Sequence, residues 1–460
     1  MPTGKRGLIS RTRSGLARWL PLLFSLATVV TVHAHDFAFT TYNGAVTITK
    51  YTGSGGAVII PGAIDGLPVT MIRDHAFDHC VSVTGVTIPD SVLGIEDWAF
   101  GYCTNLTNIT IGKRVTRIGD NAFDNCSGLT SVMIPDRVTR IGAWSFFSCS
   151  SLTHVTIGNG LTSVADHAFY NCNSLVTVSF GNRVTTIGSS AFEYGYNLSS
   201  VTVPDTVLCI GDSAFASCGM ASVTLGNSVT NIRYGAFERC GNLTRVTIPD
   251  QVTGLGASAF ASCTNLTDVV VGENVASLGD YAFFNCNRLG SVYFRGNAPA
   301  VGSDAFFGDT HATVYCLPWA EGWEATLGGR PAQLNPAYSS WRTTDGFPTN
   351  GLRDSIDSDG DGVLNWQEFL ACVEPTKEAD SLAIAAIGSG VASSSNGVAK
   401  ANVACQVMKN LYLAAWGNTP QGGGADQQTR QTASTDRGLQ YADPTCAGAT
   451  GAAYRITGLP

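Results

Sequence analysis

The sequence predicts a β-rich repeat solenoid, and three observations carry that prediction. The pair Ala-Phe, with Ser145 in place of Ala in one copy, recurs down the chain, with its phenylalanines at Phe77, Phe100, Phe123, Phe146, Phe169, Phe192, Phe215, Phe237, Phe260, Phe283 and Phe306. The spacing is 23 residues, shortened to 22 only between Phe215 and Phe237. Each unit also alternates apolar and polar residues in two short runs, the period of a half-buried strand. No unit is able to bury its Leu, Val, Ile, Ala, Phe and Cys alone. Eleven such units bury them by stacking about 4.8 Å apart.

Residues 1–34 read as a secretory signal peptide. Lys5, Arg6, Arg11, Arg13 and Arg18 come first with no acid, then an apolar run, then Val32-His33-Ala34 at a small-residue cleavage site. The apolar run, 19–32, is 14 residues long, whereas a spanning helix needs about 20. Cleavage is therefore expected, with no membrane-spanning segment afterwards and a secreted or cell-surface location. Net charge is −8, and −13 once the five basic residues of the leader are gone. A chain this acidic, with no Lys/Arg run after residue 34, has no general attraction for nucleic acid.

Residues 35–61 alternate like a hairpin and are expected to cap the first coil with β structure. The solenoid follows over 62–310, in about 11 coils. One unit reads "LTSVMIPDRVTRIGAWSFFSC", residues 129–149. Val132 and Ile134 alternate with Ser131 and Met133, which makes one main short strand with one buried face. Pro135-Asp136 ends it, as Gly158-Asn159, Gly181-Asn182 and Gly226-Asn227 do in other units. "VTRIG" is a shorter second strand. Asp74, Asp97, Asp120, Asp166, Asp212 and Asp280 stand three residues before Phe, where each is placed to cap a helical turn carrying Ala-Phe.

The unit Leu-x-x-Val-x-Ile-Pro-x-x-Val-x-x-Ile-Gly-x-x-Ala-Phe-x-x-Cys resembles the BspA-type leucine-rich repeat of bacterial surface proteins. It departs from the commoner leucine-rich repeat, which has Asn after the strand where this chain has Pro or Gly. The resemblance implies a secreted or surface-displayed scaffold, often adhesive, and no catalytic residues.

Residues 311–335 end the last strand and supply two tryptophans to cover the open core, as the C-terminal cap. A linker spans 336–350, and 351–380 hold the sharpest chemical motif in the chain. "DSDGDGVLNWQE", residues 357–368, matches a calcium loop. Asp357, Asp359 and Asp361 take positions 1, 3 and 5, and Gly362 the sharp turn at 6. Val363 offers its carbonyl at 7, Asn365 stands at 9, and Glu368 gives a bidentate carboxylate at 12. The entering side, "DGFPTNGLRDSI", is too rich in Gly and Pro for a helix. The segment is therefore a single calcium site and not a paired sensor. It is similar to the calcium loops of dockerins and thrombospondin type 3 repeats, which implies a structural ion ordering a linker. A dockerin needs a second loop, which this chain lacks, so cohesin binding does not follow. Residues 381–460 are rich in Ala, Gly, Ser and Thr, a low-complexity or degraded β tail.

Two outward columns are candidates for recognition. Thr87, Thr110, Met133, Thr156, Ser179, Thr202, Thr224, Thr247 and Val270 alternate outward on the main strand, and β-propensity alone accounts for threonine there. The position just before Ala is more varied, and its aromatics mark a candidate contact patch on the first five coils. His75, Trp98, Trp144 and His167 belong to that column, with Tyr102, Tyr170 and Tyr194 nearby. Packing between neighbouring coils is the competing role for these rings. The fitting partner is a protein or carbohydrate on a cell or matrix surface, bound by a monomer. A stalk or envelope spacer with no specific ligand is the alternative.

No enzyme is expected. There is no HExxH, no Gly-x-Ser-x-Gly, no phosphate-binding Gly-rich Lys loop and no CxxC among fourteen cysteines. Calcium is the one expected cofactor. Asn105, Asn242 and Asn265 spell "NLT" at one repeat position, which favours a turn role over glycosylation. Cys80, Cys103, Cys126, Cys149, Cys172, Cys218, Cys240, Cys263 and Cys286 recur at that period too. In register their Cβ atoms sit about 4.8 Å apart, beyond the 3.5–4.5 Å of a relaxed disulfide. The column reads as core filling.

Overall fold

The computed structural model describes residues 34–318 and 320–336. Parallel strands stack one coil upon the next. Ser131–Ile134 is a representative main strand, with Val132 and Ile134 buried and Ser131 and Met133 exposed. It pairs with His154–Ile157 in the register Ser131↔His154, Val132↔Val155, Met133↔Thr156 and Ile134↔Ile157. Because the register equals the sequence period, every position forms a column of its own kind. A second ladder of two-residue strands runs beside it, as in Arg117–Ile118 with Arg140–Ile141.

The shortened unit keeps its strand register. Ser200, Val201 and Thr202 pair with Ser222, Val223 and Thr224, so the missing residue is taken from the turn before the strand. There the chain passes so close to the previous coil that a Cβ on Gly219 would overlap the carbonyl oxygen of Tyr196. Met220 then fills, fully buried, the place where neighbouring coils put Leu198 and Leu243.

The third side of each coil differs from the expected helical turn. Around Phe123, the amides of Asp124 and Cys126 donate three residues back, to Asn121 and Phe123 (3.0 and 3.2 Å). The alternate amides, of Asn121, Phe123 and Asn125, donate instead to Ala143, Ser145 and Phe147 of the next coil (3.0, 2.8 and 2.8 Å). Half of the donors a helix needs are thus committed to the neighbouring coil, and this side forms turns. Asp120 follows the same logic. Its Oδ1 accepts the amide of Ala143 (3.0 Å), as Asp97 accepts Asp120 (2.8 Å) and Asp166 accepts Ser189 (2.7 Å). The aspartates expected to cap their own turns join consecutive coils.

The strand-ending turns use the same device. Asp136 Oδ1 accepts the Asn159 amide at 2.8 Å, and Asn159 Oδ1 accepts the Asn182 amide at 3.1 Å. The "NLT" asparagines also bond between coils. Nδ2 of Asn105, Asn242 and Asn265 donates to the carbonyls of Val81, Gly219 and Gly241.

The core is built around the phenylalanine column. From Phe77 to Phe306 every ring stacks on the next, with centroids 4.7 to 5.7 Å apart. At the N-terminal end the hairpin Phe37–Tyr42 and Ala45–Tyr51 adds one more ring, Tyr51, stacked on Phe77 at 5.0 Å. At the other end Leu317, Ala320 and Trp323 cover Val270 and Tyr293. Val270, expected to face outward with the threonines, is therefore buried under the cap. Trp319, the other tryptophan expected there, lies outside the described residues.

The cysteine column is an interior feature too. All nine are free, eight of them buried and Cys80 partly so. Each thiol from Cys103 onward donates to the carbonyl of a phenylalanine in the coil before, for example Cys126 to Phe100 and Cys218 to Phe192, both at 3.1 Å. The same carbonyl takes the amide of its own coil's cysteine. Burial pushes the thiols of Cys172 and Cys240 up to about 12. They hold their protons at neutral pH and are poor nucleophiles and poor metal ligands.

Candidate binding surface

The outward side of the turn strip is made by four columns of the repeat. The residues three and two before Phe, and one and two after it, all border this face. Those two before and two after Phe have left-handed backbone in every coil. Trp98 has φ 58°, Tyr102 55°, Trp144 61°, His167 56° and Tyr194 64°. Large rings rarely take this conformation. Here it is imposed by the alternating hydrogen bonds of the turn.

The rings expected from the sequence gather into two clusters. In the first two coils His75 and Trp98 lie nearly parallel (6.1 Å), His79 stacks on Tyr102 (4.6 Å), and Trp98 lies 6.1 Å from Tyr102. Asp78 bridges the two histidines, 3.0 Å from His75 Nδ1 and 2.9 Å from His79 Nδ1. In the fourth to sixth coils Trp144 stacks on His167 at 3.8 Å. Phe147 meets Trp144 edge-on and stacks on Tyr170, and Tyr170 meets Tyr194 edge-on at 5.2 Å. Burial lowers the pKa of His167, with Asp166 and Glu193 acting against it, and burial raises that of Tyr170 to about 12, reinforced by Glu193.

His79, Phe147 and Tyr196 complete the clusters and were not singled out from the sequence. His79 belongs to the second left-handed column, two residues after Phe, and Phe147 to the column one residue after it. Those periodic positions were the available signal. The third coil separates the clusters, carrying Asn121, Asp124 and Asn125 in place of rings. Asp124 is only 4% exposed. Its Oδ1 accepts Nδ2 of Asn125 at 2.7 Å. Burial raises its pKa to about 6, opposed by the Asn125 hydrogen bond and helped by Asp78.

Among the described residues no group of three or more His, Cys, Asp or Glu is arranged to hold a metal ion. The calcium-loop residues Asp357, Asp359, Asp361, Val363, Asn365 and Glu368 lie outside the described residues. So does the leader.

The family model of the BspA type leucine rich repeat region, six copies long, matches residues 70–198 and 185–313. The chain belongs to the BspA-type leucine-rich repeat family. Several solved structures share features with this BspA-type chain. A leucine-rich repeat protein from Bacteroides ovatus is 23% identical, aligned over 63% of this chain and 84% of that one, with a TM-score of 0.48. A leucine rich cell surface protein from Faecalibacterium prausnitzii is 26% identical over 58% and 95%, with a TM-score of 0.28. The leucine rich repeat protein of T. pallidum is 30% identical over 36% and 90%, with a TM-score of 0.32. No curated protein sequence matches the chain.

Proposed function

We propose that this protein is an exported, non-enzymatic recognition scaffold. Its aromatic turn face engages a protein or glycan on a cell or matrix surface. The observation that carries this reading is the pair of partly exposed ring clusters gathered on the turn face. Partly exposed aromatics concentrated on one face are what recognition surfaces use. The leader sequence and the BspA-type family support an exported location.

The test is binding of the mature full-length chain to panels of surface proteins and glycans, repeated with Trp98→Ala and Trp144→Ala. Loss of a hot-spot aromatic is expected to weaken binding about tenfold or more. Unchanged binding in both variants would overturn the assignment to this face. The alternative, a stalk or envelope spacer, is favoured by the Asp and Asn bonds that tie each coil to the next. A chain retained at the surface that binds nothing on the panels would point to it.

A structural calcium ion in 357–368 is the second part of the proposal. Its support is the fit of every ligand position in the sequence. Calorimetric titration of the full chain with calcium is expected to show one site, weakened at least about tenfold in Glu368→Gln, which loses the bidentate carboxylate. Equal affinities would reject the site.

A further inference from the structure

Charge on the solenoid is segregated. Residues 62–310 contain twenty acidic and twelve basic residues. The four columns of the turn face hold eleven of the acids and only one of the bases, Arg239. Arg239 is itself paired with Glu238 at 3.4 Å. At its border, Arg73 is likewise paired with Asp74 at 2.8 Å. Over the first six coils the face carries aromatic rings, histidines and carboxylates with no Lys or Arg.

The break between the ring clusters concentrates this chemistry. Trp98 stacks towards the first coil and Trp144 towards the fifth. Among the described residues no ring contact joins either indole to the third coil. The Phe column steps 5.1 and then 5.0 Å across these coils, so a single coil, the third, stands between the two tryptophans. The third coil carries Asn121 in the same column as the two tryptophans, with Asp120 and Asp124 in the neighbouring columns. Asp120 and Asp124 each use one oxygen in a hydrogen bond to the protein, and the other has no hydrogen-bond partner among the described residues. Asp124 is only 4% exposed, and a largely desolvated carboxylate with no base paired to it is favoured by a cation brought beside it.

We propose that the third coil receives an arginine or lysine side chain of a protein partner, beside Asp120 and Asp124 and flanked by the ring-bearing coils of Trp98 and Trp144. The whole acidic-aromatic face then docks a basic polypeptide segment. This deepens the recognition role proposed above and rests on it. Aromatic rings alternating with carboxylates along one face suit a cation, through ring faces and charge-assisted hydrogen bonds. A neutral sugar would gain nothing from the exclusion of Lys and Arg from the face. An acidic glycan would be repelled by it.

The test uses the mature full-length chain and a synthetic Arg-Gly repeat peptide, with its citrulline counterpart and a neutral glucan as competing probes. The double variant Asp120→Asn/Asp124→Asn keeps both acceptor oxygens and removes both charges. Asp136→Asn/Asp205→Asn, at the strand-ending turns, is the charge control. The Arg peptide is expected to bind at least about tenfold more tightly than the citrulline peptide, and about tenfold less tightly to the double variant. The control variant is expected to bind as wild type, and added salt to weaken binding. Urea midpoints check that each variant folds. Equal affinity of wild type and a folded double variant would overturn the proposal, as would equal affinity for the citrulline peptide. Trp-dependent binding of the glucan with none of the Arg peptide would also overturn it, while leaving the recognition role intact. Absence of Trp-dependent binding to every probe and panel would sink both.

Discussion

Phe169→Ala is expected to remove about 3–5 kcal/mol of stability, read as a fall in the urea midpoint of the full chain. Phe169 is fully buried and stacks on both sides, at 5.1 Å on Phe146 and 5.4 Å on Phe192. Truncation leaves a cavity in the middle of a column that collapse cannot close. The coils on either side are fixed to one another by backbone bonds, such as the Phe169 amide to the Ala191 carbonyl at 2.8 Å. In a stacked repeat each coil is stabilised by its two neighbours, so the lost energy falls on both interfaces at once. Unfolding is expected to broaden or divide into two transitions as the halves separate. Phe306→Ala is the comparison. Phe306 has one stacked neighbour, Phe283 at 5.4 Å, and lies beside Gly328 of the cap. Its loss is expected to be smaller and to leave a single transition. A loss below about 1 kcal/mol for Phe169→Ala would show that the column is not what holds the coils together.

The stacked architecture was legible in the sequence because the repeat makes each position vote eleven times. Strand, turn and column assignments follow from period and alternation, as at Val132 and Ile134. What was not legible is whatever exists only between coils. Asp120 reads as a helix cap within one unit, and only the next coil's Ala143 amide shows otherwise. The cysteine column was readable as interior from its period and residue type. Its thiol bonds to phenylalanine carbonyls need the offset of one coil upon another. Val270 reads outward from its own strand, since the segment that covers it arrives from some fifty residues later in the chain.

The surface was legible in part for the same reason. His75, Trp98, Trp144 and His167 stood out because one column varied where its neighbours did not. Nothing in the residue types foretold left-handed backbone at Trp98 or Tyr194, because propensity argues against it there. Asp124 was passed over, being one acid among many in sequence. It becomes distinct only when the ring-bearing coils of Trp98 and Trp144 are seen on either side of its own and its burial is known.

The last coil breaks the cysteine column with Asp309, and this exchange is expected to cost stability above neutral pH. Asp309 is fully buried, and neither carboxylate oxygen has a hydrogen-bond partner among the described residues. Arg330 of the cap spends Nη1 on the Asp309 carbonyl at 2.9 Å, leaving its own Nε buried without a partner. Burial raises the Asp309 pKa from 3.8 to about 7, which the Cys286 main chain and the Arg330 charge only partly oppose. The folded pKa lies above the unfolded one, so between them the folded chain holds one proton more. Stability therefore falls as pH rises from about 4 to about 7, and the deficit is complete above that range. Its full size is on the order of 4 kcal/mol. Asp309→Cys restores the residue used in neighbouring coils and lets a thiol donate to the Phe283 carbonyl, as Cys286 does to Phe260. The variant is expected to match wild type near pH 4 and to exceed it by a few kcal/mol at pH 8. The comparison of urea midpoints cancels the contribution of Asp124, which is present in both chains. A difference between the two chains that does not grow from pH 4 to pH 8 would mean that Asp309 is ionised in the folded protein throughout, held by Arg330 as an ion pair.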